Sequence, residues 1–243
     1  MSSTDHIRIV LVRTFHPGNI GSVARAMKTM GLGNLHLVAP KQYPDEQADQ
    51  MAAGATDVLS NAHVHENLAE AVADCRVVMA CTARDRSYDL PYLDTEEAAK
   101  LLRAQAPDSP CALVFGPERM GLHNQDLLLA RYRVTIPANP AYPSLNLAAA
   151  VQIASYEILK AFNTEPPTQL STRAEKLLPR TDDYERLVDH VETVLRTTGF
   201  LRPHQGETMD RLRHLINRVE PSESEINILR GILRSIERMG TKE

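Results

Sequence analysis

One repeated unit constrains this chain more than anything else in it. A short, almost purely apolar run is followed by a loop rich in Gly, Pro and polar residues, and then by an amphipathic helix. Ile7–Val12 is such a run, broken only by Arg8, which is the pattern of a strand buried on both faces. After its loop, Ile20, Val23, Ala24, Met27 and Met30 fall on one stripe, so residues 20–30 are predicted to be a helix with Gly31 as its stop. Residues 35–39, 77–81, 112–115 and 132–136 repeat the strand pattern, and 45–53 and 67–74 read as helices. Residues 145–162 form a long helix, apolar nearly all round at its start, with Ser144 placed as its N-cap. Strands separated by helices predict an α/β domain with a mostly parallel sheet.

The pattern changes after residue 163. Residues 163–172 (NTEPPTQLST) read as a Pro/Thr-rich linker, and beyond them there are no strand signals. Thr181 is a candidate cap for a helix with Tyr184, Leu187, Val188, Val191, Val194 and Leu195 on one face and Gly199 as its stop. Met209, Leu212, Leu215, Ile216 and Val219 mark a second helix. Pro221-Ser222 with Glu225 is a capping box that opens a third, with Ile226, Leu229, Leu233 and Ile236 inward. The expected division is 1–163 for the α/β domain, 164–180 for the linker and 181–243 for a small helical extension.

Several function classes fall away on composition and motif. No apolar run approaches the roughly 18 residues of a membrane span, and the start has no basic region followed by an apolar one, so a soluble, cytoplasmic protein is expected. Cys75, Cys81 and Cys111 are widely spaced and in apolar company, which suits neither a disulfide framework nor a metal site. GxxxxGK[ST], GxGxxG after a strand, HExxH and GxSxG are all absent, against nucleotide hydrolysis, ordinary dinucleotide binding, zinc proteolysis and the common hydrolases. The net charge of −4 argues against non-specific coating of nucleic acid. The charge is uneven, however: residues 1–169 carry 14 Lys and Arg against 18 Asp and Glu, while 170–243 carry 13 of each, 11 of the cations being Arg. Arginine forks suit phosphate better than lysine does.

In open α/β sheets, ligands bind beyond the carboxyl ends of strands. Four loops there hold the candidate site: His16 to Asn19, Thr82 to Arg84, Gly116 to Gly121, and Pro137 to Ser144. Arg25 lies roughly 160° around the helical wheel from the apolar stripe. It is either an ordinary solvated Arg or a phosphate contact near a helix N-terminus. Glu118, between Gly116 and Gly121, is a surface acid or an acceptor for a hydroxyl or a cation. The loops are rich in glycine and backbone polar groups and poor in charge, as a small neutral or zwitterionic cofactor requires.

Three segments then carry a resemblance. Asn19-Ile20-Gly21-Ser22-Val23-Ala24-Arg25, Leu113 to Leu122 (LVFGPERMGL), and Ile136-Pro137 followed by Ser144-Leu145-Asn146-Leu147-Ala148 resemble the three motifs of the TrmH-like branch of the SPOUT methyltransferases, in that order. The longer phrases 7–40 and 112–127 are similar to the TrmJ-type tRNA 2′-O-methyltransferases within it. The resemblance covers residues 7 to about 162 closely and the helical tail in layout.

The resemblance implies an α/β knot, a deep trefoil of a kind otherwise nearly absent from proteins. It implies S-adenosylmethionine as cofactor and no metal, with contacts from Cys81, Thr82, Ala83, Gly116, Ile136, Pro143, Ser144 and Leu145. It implies a homodimer, which would also bury the apolar helix 145–162. The catalytic candidates it carries over are Asn19, Arg25, Glu118, Ser144 and Asn146. The implied reaction is methylation of the ribose 2′-oxygen of cytidine or uridine 32 in the tRNA anticodon loop, with the Arg-rich extension holding tRNA. Deprotonating an arginine at pH 7 costs about 7.5–9 kcal/mol, so Arg25 is expected to hold phosphate and stabilise the developing alkoxide rather than act as a base. A relative acting on another tRNA position or on ribosomal RNA, and a non-catalytic RNA-binding protein on the same scaffold, are the alternatives.

Overall fold

The computed structural model describes residues 3–83, 90–107, 109–163, 178–202 and 206–240. Most of the expected linker and Arg84 lie outside them. The first half of the α/β domain runs β1 (Ile7–Val12), α1 (Pro17–Thr29), β2 (Leu35–Val38), α2 (Glu46–Ala52), α3 (Thr56–Ser60), β3 (His63–His65), α4 (Leu68–Val72) and β4 (Val77–Cys81). The second half runs β5 (Tyr92–Asp94), α5 (Thr95–Gln105), β6 (Cys111–Phe115), α6 (Asn124–Leu128), β7 (Tyr132–Thr135) and α7 (Leu147–Asn163). The extension is α8 (Thr181–Thr197), α9 (Gly206–Val219) and α10 (Glu223–Gly240). The strands form one sheet in the order β3-β2-β1-β6-β4-β7-β5, with every neighbouring pair parallel.

A parallel sheet needs cover on both faces, and β1 shows how the sequence meets that need. Ile7, Ile9 and Leu11 enter the core shared with α1, α2, α5 and α7, while Val10 and Val12 enter the opposite core under α4 and α6. Arg8, the one charge in the run, forks onto both oxygens of Asp74 at 2.6 Å and reaches the Ala71 carbonyl. α1 packs tightly on α2, because a Cβ at Gly21 would stand 2.0 Å from the Ala48 carbonyl oxygen. α1 begins at Pro17, three residues before its apolar stripe, since proline is pre-set for the first turn of a helix.

Three local expectations are corrected. α7 starts at Leu147, and its cap is Asn146, whose Oδ1 accepts from the Ala148 and Ala149 amides, so Ser144 stands outside the helix. The apolar face of α7 is buried within the same chain, by Leu147, Val151, Ala154 and Ile158 in the core it shares with α1 and α5. Thr181 donates its hydroxyl to the Cys75 carbonyl at 2.7 Å and ties α8 to the α/β domain instead of capping it. α5 is an element the sequence reading passes over. Its signal was present in the capping box of Asp94 and Glu97.

The extension docks on the end of the sheet where β4, β6 and β7 begin. Leu178 is 2% exposed in the main core, and the Pro179 carbonyl accepts from Arg131 at 2.9 Å. The Leu178 carbonyl accepts from Arg76, and the hydroxyl of Tyr132 donates to Glu220. Ser222 and Glu225 form the expected capping box before α10. No helix of the described residues is long and apolar enough to cross a membrane.

Candidate active site

The loops after β4, β6 and β7 meet at the opposite end of the sheet and enclose a cavity of about 270 Å³. Its position follows from a parallel sheet, where all loops after strands open on the same side. The β4 loop is pinned to β7: the Thr82 amide donates to the Val134 carbonyl and the Thr135 hydroxyl to the Thr82 carbonyl, both at 3.0 Å. The β6 loop is folded back on itself at Gly116, where a Cβ would lie 2.3 Å from the Leu122 amide nitrogen. Only glycine fits there, which is why this loop can present backbone groups to a ligand at close range. Beyond the loop, Asp126 accepts from the His123 amide at 2.6 Å and from the guanidinium of Arg13, anchoring the segment to the end of β1.

All eight residues expected at a cofactor line this one cavity: Cys81, Thr82, Ala83, Gly116, Ile136, Pro143, Ser144 and Leu145. Burial pushes the Cys81 thiol well above its ordinary range, so it is a neutral thiol and no nucleophile. Phe115, Val134 and Ala150 also face the cavity and were missed. Phe115 ends β6 and Val134 is the second-last residue of β7, a signal that becomes readable only once strand register is known.

The expected catalytic residues divide into three groups. Asn146, Asn19 and Glu118 form a hydrogen-bonded chain. Asn146 Nδ2 donates to Asn19 Oδ1 at 3.3 Å, and Asn19 Nδ2 donates to Glu118 Oε1 at 2.6 Å. Glu118 accepts two further bonds, from the amides of Phe15 at 3.1 Å and His16 at 3.2 Å. Burial works against its charge, but the bonds from Asn19 and the backbone outweigh burial and hold the carboxyl below its ordinary range. Glu118 is therefore a fixed carboxylate that joins the β6 loop to the start of α1. Ser144 lies in the cavity wall and is exposed. Arg25 is exposed on α1, and its guanidinium has no hydrogen-bond or ion-pair partner among the described residues. The structure thus brings motifs one, two and three to one cavity rim, with Arg25 projecting from α1 without touching the chain of Asn and Glu.

Among the described residues no cluster of His, Cys, Asp and Glu could hold a metal ion. The cavity offers apolar walls (Phe115, Val134, Ile136, Leu145), a glycine cradle and backbone groups, with Glu118 and Arg119 as its charged side chains. That donor set suits a neutral or zwitterionic molecule with one flat apolar part.

Residues 6–156 match the SpoU rRNA methylase family, and residues 182–243 match the C-terminal domain of the tRNA methyltransferase TrmJ. The tRNA (cytidine/uridine-2′-O-)-methyltransferase TrmJ of Escherichia coli (strain K12) is 50% identical over 234 residues, spanning 96% of this chain and 95% of the relative. Among solved structures, TrmJ from Z. mobilis ZM4 has a TM-score of 0.82 at 36% identity, covering 95% of this chain and 98% of that one. A probable methylase family protein from Haemophilus influenzae Rd KW20 has a TM-score of 0.63 at 42% identity, covering 97% of each chain.

Proposed function

This chain belongs to the SpoU rRNA methylase family and, by both of its domains together, to the TrmJ tRNA 2′-O-methyltransferases within it; from that membership we propose that it methylates the ribose 2′-oxygen of cytidine or uridine 32 in the tRNA anticodon loop, using S-adenosylmethionine. The fold is that of the SPOUT methyltransferases, a parallel sheet flanked by helices with a helical extension. The observation that carries the reading is the meeting of three sequence-distant polar groups, Asn19, Glu118 and Asn146, at the rim of the cavity that holds all eight expected cofactor contacts.

The cofactor fits the residues present. Backbone groups around Thr82, Gly116 and Leu145 would hold its polar ends, and Ile136 and Val134 its flat apolar part. When bound, it supplies an electrophilic methyl group on a sulfonium centre. The chain's own residues then position the acceptor. Glu118 fixes Asn19, Asn19 fixes Asn146, and these amides with the Ser144 hydroxyl orient the ribose. The exposed guanidinium of Arg25 grips the neighbouring phosphate with its fork and stabilises charge developing on the 2′-oxygen. Positioning of this kind supplies several kcal/mol of the barrier.

The extension is the second contact for tRNA. Arg234 and Arg238 lie four residues apart on α10, both exposed and without a partner among the described residues. The extension stands at the opposite end of the sheet from the cavity, so a bound tRNA would span the domain with its anticodon loop at the cavity and its body on the helices. The protein acts as a homodimer in the cytoplasm, where its substrate is found. Exposed Tyr142, Leu145 and Met120 around the cavity are consistent with cover by a partner.

The test is methyl transfer from labelled S-adenosylmethionine to unmodified tRNA transcripts, with digestion to nucleosides and mapping of the product. A 2′-O-methylated nucleoside at position 32 is expected. Methylation at another position would keep the enzyme and discard the site. No transfer to any tRNA would move the substrate to ribosomal RNA, and no transfer to any RNA would leave an RNA-binding scaffold.

A further inference from the structure

Phe15 is held in a position that its own burial does not explain. It follows Thr14, which is 1% exposed, and its amide is tied to the Glu118 carboxylate, so the backbone is fixed from both sides. Yet the residue is 43% exposed, beside the cavity rim. Its ring lies roughly perpendicular to the His16 ring, with centroids 4.8 Å apart, and the Lys41 ammonium lies 3.5 Å from the Phe15 ring centroid. The Lys41 amide donates to the Thr14 carbonyl at 3.0 Å, but its ammonium has no hydrogen-bond or ion-pair partner among the described residues, so the phenyl ring is what holds its charge in place. Arg119, whose side chain lines the cavity, has its guanidinium 5.8 Å from the same centroid. An open aromatic ring flanked by cations at the mouth of a site is the equipment for single-stranded RNA, whose bases stack on aromatic rings while its phosphates take the cations.

We propose that Phe15 is a stacking platform for a nucleobase of the substrate RNA, at or next to the methylated nucleotide, and that Lys41 contacts the adjoining phosphate. The inference rests on the functional reading above and names how the substrate is held. The base stacks on the open part of the Phe15 ring, and Lys41 swings from the ring toward the phosphate. Stacking makes no hydrogen bonds to base edges, so this platform accepts cytosine and uracil alike. Because Glu118 holds both Phe15 and Asn19, the platform and the ribose-orienting amides move as one piece.

The chain contains no tryptophan, so Phe15→Trp in the full-length protein places a single fluorophore on the platform. Titration with an unmodified tRNA transcript in the presence of S-adenosylhomocysteine is expected to quench its emission saturably. Phe15→Leu keeps the apolar bulk and loses the stacking face. Its KM for tRNA is expected to rise about tenfold, with cofactor affinity and the salt dependence of tRNA binding unchanged. Lys41→Ala is expected to lower the slope of log affinity against log salt by about one. Unquenched emission from a folded Phe15→Trp protein that still binds the transcript, or an unchanged KM in Phe15→Leu, would overturn the proposal. Absence of methyl transfer by the wild-type protein on any tRNA would sink the functional reading instead. The fluorescence titration does not depend on turnover, so the two failures are distinct.

Discussion

At the scale of single residues, the site is built from side chains that hold each other. Glu118 accepts three hydrogen bonds, and through Asn19 it sets the orientation of Asn146. Arg25 is the contrast: a guanidinium with no partner among the described residues, on a helix whose other face is fully committed to the core. If its fork grips phosphate, charge alone will not replace it. Arg25→Lys is expected to lower single-turnover methyl transfer by about 100-fold, the typical loss from small misplacements of reacting groups, with cofactor affinity unchanged. Wild-type turnover in that variant would refute bidentate positioning.

At the scale of elements, the outer edge of the sheet carries a pH dependence of its own. His36 on β2 is 5% exposed, with its ring nitrogens 2.9 Å from His65 Nε2 and from Asn34 Oδ1, and it stacks on His65 and His63 of β3. Burial first, then repulsion from Arg8 and from any charge on the neighbouring His63 and His65 rings, push its pKa down to about 3, against a small opposing pull from Asp74. His65 is lowered too, again by burial first. In the unfolded chain a histidine titrates near 6.5. As the pH falls below that value, the unfolded state takes up the proton that the folded state refuses. The stability that His36 contributes is then fully present above about pH 6.5 and is lost progressively toward pH 3, by up to about 1.4 kcal/mol per pH unit. Urea denaturation between pH 7.5 and 4 should show this acid limb, and His36→Leu should make it shallower. A flat profile over that range would show that His36 is not held neutral by the fold.

At the scale of the whole molecule, the extension is an integral part of the structure. Leu178 sits in the main core of the α/β domain, and Thr181, Pro179 and Glu220 bond to residues at the start of β4 and β7. Leu178→Ala is expected to cost about 2–4 kcal/mol, the usual range for truncating a buried leucine, read from chemical denaturation. Both domains should still unfold in one transition. A loss below about 0.5 kcal/mol would mean that the extension is only loosely attached. The arrangement also separates the extension from the cavity, since docking where the strands begin leaves the cavity where they end.

Strand and helix identity was legible in the sequence because periodicity is local. A run such as Ile7–Val12 has one way to bury all its apolar residues, and the stripe of α1 has one face to turn inward. The family motifs were legible for the same reason, each being a contiguous string beside a strand end. Elements set by context were not: the edge strands β3 and β5 are only three residues long, and the chain around them decides their state. The role of Asn146 as cap, the burial of α7 within its own chain and the docking of Leu178 depend on where a helix starts and what lies across from it. The candidate site was legible as a set of residues but not as a mechanism. What tied Asn19 to Glu118 is a contact across 99 positions of chain, and what left Arg25 and Phe15 turned outward is the packing of everything beneath them. Local pattern determined which segments are strands and helices, because hydrophobic burial acts on each segment's own periodicity. Only the tertiary structure decided which polar groups meet and which remain free for a ligand, because hydrogen-bond partners are chosen by proximity in space.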